Sequence, residues 1–382
     1  MSQKRSIFEE VQTVAKDAAK PQPGLIDRDR GGARRAVRLW LMALFALVVL
    51  MIAVGGLTRL TDSGLSITEW NLIKGAVPPT SAQAWDQAFA KYQSTPEYRL
   101  QNKDMNLSEF KAIYWWEWGH RQLGRVIGLV WAAGFAYFWA TKRIPTGWTG
   151  RLASIGALGG LQGAIGWWMV VSGLSGARTD VASYRLAIHL GLAFVILGLI
   201  AWFVVHLSRP EADLMQARRN RNQRLVILTN ALIGLAFLQI LLGALVAGID
   251  AGRSFTDWPL MAGRFFPAGA FDLTPVWRNF FEDAGLVQFM HRMSGYALFV
   301  FGLLVWRRSR SSGNIATKRA FDYVALMLVV QLGLGIATVM YAAPAGIAII
   351  HQLGAVALWV LIIGARFVSQ YPVAQSVRKA VP

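Results

Sequence analysis

Apolar residues along this chain gather into eight long runs, near 39–57, 114–140, 152–173, 185–207, 225–249, 286–306, 320–341 and 346–367, separated by polar connections. A helix needs about 20 residues to cross a hydrocarbon core, and each run approaches or exceeds that length. The pattern predicts an all-α integral membrane protein with eight transmembrane helices. Two connections are long, Thr58 to Ile113 and Asp250 to Gly285, and each follows the first helix of a set of four; the remaining ones are short. In the first of them Trp85, Phe89 and Tyr92 recur at the spacing of one helical face, which predicts a surface helix that rests on the headgroups or caps the bundle.

Polar residues interrupt the pattern at corresponding places in the two sets. Glu117-Trp-Gly-His120-Arg121 leads into the second run, and Gln288-Phe-Met-His291-Arg292 leads into the sixth, with a Gly four residues after the His in both. Gln162 pairs in the same way with Gln331, and His189 with His351, at nearly constant separation. This spacing predicts a duplication into two four-helix bundles. Four helices return the chain to the side it started from, so the repeats are parallel, related by an axis along the membrane normal. The resulting division is a tail over 1–38, an N-terminal half over 39–207, a linker over 208–224, a C-terminal half over 225–367 and a second tail over 368–382.

Composition agrees with the membrane class: 54% of the 382 residues are hydrophobic and 16% charged. The formal charge of +18 would suit a nucleic-acid ligand on a soluble basic face, but here Lys and Arg concentrate in the tails and in the connections on the side of the termini. That bias reports topology, places both termini in the cytoplasm and gives no nucleic-acid partner. The first 37 residues lack an apolar signal core and read as a cytoplasmic tail, disordered around Pro21 to Gly24, with no cleaved signal peptide. With no cysteine in the chain, disulfides, thiolate-ligated haem, cysteine-held iron–sulfur clusters and c-type haem attachment are excluded.

Histidine is left as the natural ligand, and only five are present. His120, His189, His291 and His351 each fall five or six residues inside the outer end of a predicted helix, roughly 8 Å below the surface at 1.5 Å rise per residue. His206 falls at the inner end of its helix as an interfacial residue. A single intramembrane His is as readily a hydrogen-bonded packing residue as a ligand; four at one depth, two per repeat, argue for two sites. Facing imidazoles in a four-helix core suit a six-coordinate haem, whereas a zinc or di-iron site needs more ligands than Glu117 alone can add. Arg121, Arg125, Arg178, Arg185 and Arg292 sit at the same face, placed either to meet haem propionates or to anchor in the headgroups.

These residues belong to longer motifs. Gly55-Gly56-Leu-Thr-Arg-Leu-Thr-Asp-Ser-Gly-Leu-Ser-Ile-Thr-Glu69-Trp70 with Pro78-Pro79, Glu117-Trp-Gly-His120-Arg121, Tyr184-Arg-Leu-Ala-Ile-His189, Asp257-Trp-Pro-Leu-Met with Gly263-Arg264, Val287 to Tyr296, and Ile350-His351-Gln352 closely resemble the haem A synthase family over about residues 39–367. Lacking a loop cysteine pair, the chain resembles the proteobacterial and mitochondrial branch. The resemblance implies an eight-helix oxidoreductase that oxidises a methyl group of haem O to a formyl group, giving haem A for terminal oxidase assembly. It implies that His291 and His351 hold the iron of a haem b cofactor, that His120 and His189 hold the iron of the substrate haem, and that Glu117 belongs with them to the substrate site as a catalytic residue; a carboxylate there can accept protons or stabilise a developing cation as the methyl is oxidised, the alternative being that Glu117 only orients Arg121 or Arg125 at the outer surface. Arg121 and Arg292 are assigned to cofactor binding. The implied setting is the bacterial inner membrane with the haem sites near the periplasmic side. The implied partners are haem O handed over by a haem O synthase, an electron acceptor that the sequence does not identify, and the lipid bilayer, with a homo-oligomer left open.

Two other readings compete. A di-haem cytochrome b-like electron carrier would place haems near both faces, whereas all four His lie toward one. A transporter with parallel repeats would want polar groups at the midplane, where the spans are almost wholly apolar.

Overall fold

In the computed structural model, residues 25–375 are described, except 175 and 177. The tail segment around Pro21 to Gly24 and residues 376–382 lie outside the described residues. Helices account for the regular structure among the described residues: α1 Leu25–Leu60, α2 Ala82–Gln93, α3 Pro96–Leu100, α4 Leu107–Ala140, α5 Thr149–Val171, α6 Ser183–Leu207, α7 Glu211–Arg219, α8 Gln223–Gly248, α9 Asn279–Glu282, α10 Ala284–Ser309, α11 Ile315–Met340 and α12 Ala345–Gln370. Eight of them, α1, α4, α5, α6, α8, α10, α11 and α12, are long and apolar enough to cross a membrane, in agreement with the eight-span expectation.

Local chemistry sets several of the helix starts. Asn222, Asp283 and Asn314 each turn a side-chain oxygen onto a free backbone N–H in the first turn of α8, α10 and α11. Asn106 and Glu109 form a reciprocal capping box, which starts α4 at Leu107 rather than near Tyr114. Hydropathy places this start two turns late, because Ser108, Glu109 and Lys111 interrupt the apolar run over the added turns. They are held by an aromatic cluster in which Tyr92 of α2 stacks on Phe110, at 5.3 Å between ring centroids, and Trp85 meets Tyr114 edge-on at 4.9 Å. The amphipathic helix therefore packs on the extended start of α4. At the other end of the chain's first span, α1 begins at Leu25, ahead of its apolar run.

In each half the spans pack as a closed ring, first against second, second against third, third against fourth and fourth against first: α1, α4, α5 and α6, then α8, α10, α11 and α12. The halves meet through the first and fourth helices of each, α6 on α8, α1 on α12 and α6 on α12. This arrangement is what two parallel repeats about a central axis produce. The main apolar core runs along these four inner helices, with Leu44, Phe194, Leu197, Ile200, Leu232, Trp359 and Ile362 almost inaccessible. Lipid is as apolar as leucine, so close packing and satisfied polar groups, rather than water exclusion, hold the spans together. Trp359 Nε1 donates to the Phe194 carbonyl at 3.0 Å, and Gln352 Nε2 donates to the Ile52 carbonyl at 2.7 Å through the gap left by Gly56. At one end Arg59 of α1 joins the halves by pairing with Asp250 at 2.7 Å while also binding Asp62.

Candidate functional site

The four histidines occupy the second and fourth helix of each ring, His120 on α4 and His189 on α6, His291 on α10 and His351 on α12, all toward the end that carries the long connections. Each ring lies deep in the protein yet retains accessible surface, as a side chain lining a cleft does. His206 sits at the opposite end, among the rings of Trp148, Phe367 and Tyr371.

The first and third helices of each ring answer with glycine. A Cβ at Gly55, Gly166, Gly243 or Gly335 would lie 2.9, 2.8, 3.0 or 3.3 Å from Cε1 of His120, His189, His291 or His351. Any side chain there would push the imidazole out of place. Four residues before three of these glycines stands a glutamine whose amide nitrogen donates to the backbone carbonyl of the facing His: Gln162 to His189 at 3.0 Å, Gln239 to His291 at 3.1 Å and Gln331 to His351 at 3.1 Å. Sequence inspection aligned Gln162 with Gln331 but missed Gln239 and the Gln-x-x-x-Gly spacing that would have exposed the whole set.

These features fit a haem in each ring. The donors are pairs of imidazoles, and among the described residues no group of three or more His, Cys, Asp and Glu comes together. The buried Nδ1 atoms of His120 and His351 have no hydrogen-bond partner in the protein. Glycine beside every imidazole lets the ring seat against the neighbouring helix, and bis-histidine ligation across a four-helix core is chemically suited to a low-spin haem.

The charged residues next to the histidines have taken on a task that the sequence did not reveal. Arg121 donates to the carbonyls of Ile67 at 2.7 Å and Glu69 at 2.9 Å, Arg125 to those of Asn71 and Leu72, and Gln122 to those of Gly75 and Ala76. α4 thus lashes the loop after α1 along its own flank. Trp70 of that loop packs against Trp167 of α5, the rings tilted with centroids 5.1 Å apart, so the loop crosses the mouth of the N-terminal ring. In the C-terminal half Arg292 donates to the carbonyls of Phe255, Asp257 and Leu260, and Gln288 Nε2 also donates to Phe255. Arg121 and Arg292, the two arginines assigned to cofactor binding by resemblance, clamp loop backbone in this structure. Arg178 pairs with Glu282 and Arg185 reaches the Trp168 carbonyl.

Glu117 belongs to the same clamp. Its Oε1 accepts from Arg121 Nη2 at 2.6 Å and Nε at 3.0 Å, and its Oε2 accepts from Ser66 Oγ and Ile67 N, both at 2.7 Å. Only 3% of the residue is exposed. Both carboxylate oxygens are committed to hydrogen bonds within the clamp. In this geometry Glu117 orients Arg121 and anchors the loop, the alternative to a chemical role that the sequence left open.

A second buried carboxyl lies in the cap. Glu97 of α3 is 3% exposed, and burial, aided by repulsion from Asp180, Glu117 and Asp62, pushes it up to about 8. An acid raised in the folded state holds its proton more tightly there than when unfolded, so folding stability falls as pH rises between about 4.5 and 8 and is level above that. Glu97→Gln should flatten this dependence and stabilise the cap at pH 8, which thermal unfolding of wild type and variant at pH 5, 6.5 and 8 will read.

Comparison with known proteins adds an independent finding. The family model described as cytochrome oxidase assembly protein matches residues 38–363. Among similar curated proteins, the heme A synthase of Dinoroseobacter shibae is 66% identical over 382 residues, covering 100% of both chains. That of Ruegeria sp. is 62% identical over 376 residues, covering 98% of this chain and 99% of the relative. That of Paracoccus denitrificans is 57% identical over 378 residues, covering 99% of each.

Proposed function

Because this chain belongs to the haem A synthase family of cytochrome oxidase assembly proteins, we propose that it converts haem O to haem A in the membrane, with substrate held between His120 and His189 and a resident haem b between His291 and His351. Its reaction is that of an oxidoreductase acting on one porphyrin methyl group, which passes through two successive two-electron oxidations to a formyl group. The observation that carries the reading is the doubled ring, a pair of histidines on the second and fourth helices of each half with a glycine beside each imidazole. A bound bis-imidazole haem b supplies one-electron transfer.

The asymmetry between the halves supports the division of labour. The N-terminal mouth is crossed by a loop bonded to α4 over most of residues 67–76, capped by Trp70 on Trp167 and pinned by the Glu117–Arg121 pair. Such a cover keeps water from a reacting methyl and fixes the plane of its porphyrin. In the C-terminal half the shorter loop is held by neutral Gln288 and by Arg292, which suits a site that keeps its ligand. Charge asymmetry supports an orientation in the bacterial inner membrane with both termini cytoplasmic and the histidine end periplasmic. Haem O handed over by a haem O synthase and a separate electron acceptor complete the reading.

The test is conversion in a host that makes haem O and lacks haem A. Expression of this chain should make haem A appear in the extracted pigments. Haem O alone, with the protein present in the membrane at normal level, would refute the assignment.

A further inference from the structure

Two segments of the long connections lie deeper than their sequence suggests. A hydrocarbon core about 30 Å thick holds about 20 residues of a helix rising about 1.5 Å per residue. Counted from Trp306, the last apolar residue before Arg307 and Arg308 of α10, that core extends to about Val287 toward the end that carries the long connections, the outer end. Phe289 and Arg292 then stand roughly 5 and 9 Å inside its outer edge, and Tyr296 near its middle. Counted likewise from Ala140, ahead of Lys142 and Arg143, Arg125 of α4 stands roughly 8 Å inside. Irregular backbone meets both helices at these depths. Arg292 holds the carbonyls of Phe255, Asp257 and Leu260, Trp258 Nε1 donates to the Tyr296 hydroxyl at 2.7 Å, and Phe265 and Phe266 pack on Phe289 with ring centroids 5.7 and 5.0 Å apart. In the first half Arg125 holds the carbonyls of Asn71 and Leu72 at 2.9 and 3.0 Å. Side chains on these helices lean toward the outer end, yet the Tyr296 hydroxyl still falls below the edge.

Backbone at such a depth has to bond within the protein, because hydrocarbon offers it no partner. Both segments meet that demand. Besides the carbonyls held by arginine and glutamine, the N–H groups of Gly75, Ala76 and Val77 donate to the carbonyls of Asn71, Ile73 and Lys74. Those of Ala262 and Gly263 donate to the Asp257 carboxylate at 2.8 and 3.0 Å, and Met261 and Arg264 exchange backbone bonds. The side chains show the reverse of a water-facing loop. Ile73 is 87% exposed and Phe265 66%, and Leu72, Val77, Leu260 and Phe266 are exposed with them. Lys74 and Arg264, beside these tips, have stems long enough to lie along apolar surface while their charges stay among headgroups.

We propose that segments 71–77 and 258–266 are re-entrant, seated in the outer leaflet with Leu72 and Ile73 of the first and Phe265 and Phe266 of the second against lipid acyl chains. Arg125, Gln122 and Arg292 then serve the bilayer as well as the loop, since they occupy carbonyls that lipid would leave bare. The occupant is lipid rather than a water-borne partner because the exposed rings share the depth of a spanning helix. An apolar patch at that height is at ease against acyl chains and unfavourable against water. This placement depends on the spans alone and not on which haem either ring holds.

The chain has no cysteine, so a single introduced one carries a nitroxide label at a known place. The probes are molecular oxygen, which concentrates in hydrocarbon, and a nickel chelate, which stays in water, each applied to the purified full-length protein in vesicles of phosphatidylcholine and phosphatidylglycerol. Labels at Ile73→Cys and Phe265→Cys should respond to oxygen, relative to nickel, several-fold more strongly than a label at Lys103→Cys in the exposed turn between α3 and α4. Leu72→Cys and Phe266→Cys give a second reading of each segment should a label disturb the first. Nickel access equal to that at Lys103→Cys would overturn the placement of the segment concerned. Protection from both reagents would overturn it as well, by showing a second copy of the chain on the patch in place of lipid.

Discussion

Replacing His291 or His351 with alanine removes the low-spin haem b signal from the reduced spectrum, and replacing His206 leaves it intact. On the proposed assignment each of the first two substitutions deletes one of the two iron ligands of the C-terminal ring and opens space where a Cβ on Gly243 or Gly335 would lie 3.0 or 3.3 Å from Cε1 of the imidazole. No other His, Cys, Asp or Glu joins the pair to stand in for the lost donor, since groups of three or more are absent among the described residues. A haem held by one imidazole becomes five-coordinate and high-spin, or leaves. His206 is at the opposite end, 3.7 Å from Glu211. Measured by reduced-minus-oxidised spectra on protein of equal purity, the expected change is loss of most of the haem B band. An unchanged band in either variant would remove His291 and His351 from the site.

Glu117→Gln stalls conversion of haem O while haem b remains. The carboxylate accepts four hydrogen bonds, two from Arg121 and one each from Ser66 and Ile67. An amide can accept only through its oxygen, so its NH2 group must face either the guanidinium or the Ser66–Ile67 donors. The substitution also leaves Arg121, whose side chain is 19% exposed, without its counter-charge. Removing one partner of a buried ion pair costs about 3–5 kcal/mol, and partial exposure here puts the expected cost at or below the lower figure, about 2–3 kcal/mol. That is enough to free the loop in an appreciable fraction of molecules. Hydrogen exchange over residues 66–76 should speed up as product formation falls. Gln288→Glu should be milder, because Arg292 lies on the next turn of α10 and can pair with the new charge. Normal product with slow exchange in Glu117→Gln would show that the clamp does not serve the reaction.

The spans and the site were legible in the sequence to different depths. Hydropathy marked all eight helices because lipid imposes one simple rule, that every backbone group bonds within its own helix while apolar side chains face outward. The rule fails at Leu107–Ile113, where a capping box and an aromatic cluster, not hydropathy, extend α4. The four histidines were readable because polar groups stand out in an apolar run. Their glycine and glutamine partners were harder to see, since glycine is abundant in all the spans and only the paired three-dimensional register separates Gly166 or Gly243 from glycines that merely allow packing. Arg121 and Glu117 illustrate the limit of charge as a clue. Their side chains were visible as unusual, but the partners that define their work are backbone carbonyls and an N–H more than forty residues away, which carry no signature in the sequence.

The claim on which the account depends is that the two rings hold chemically different haems, and the most direct test is the haem composition of purified His189→Ala protein. Extraction and chromatography should show haem B at the wild-type level and haem O and haem A strongly depleted. Loss of haem B with haem O or A retained, or equal loss of all three, would contradict the assignment of substrate to the N-terminal ring.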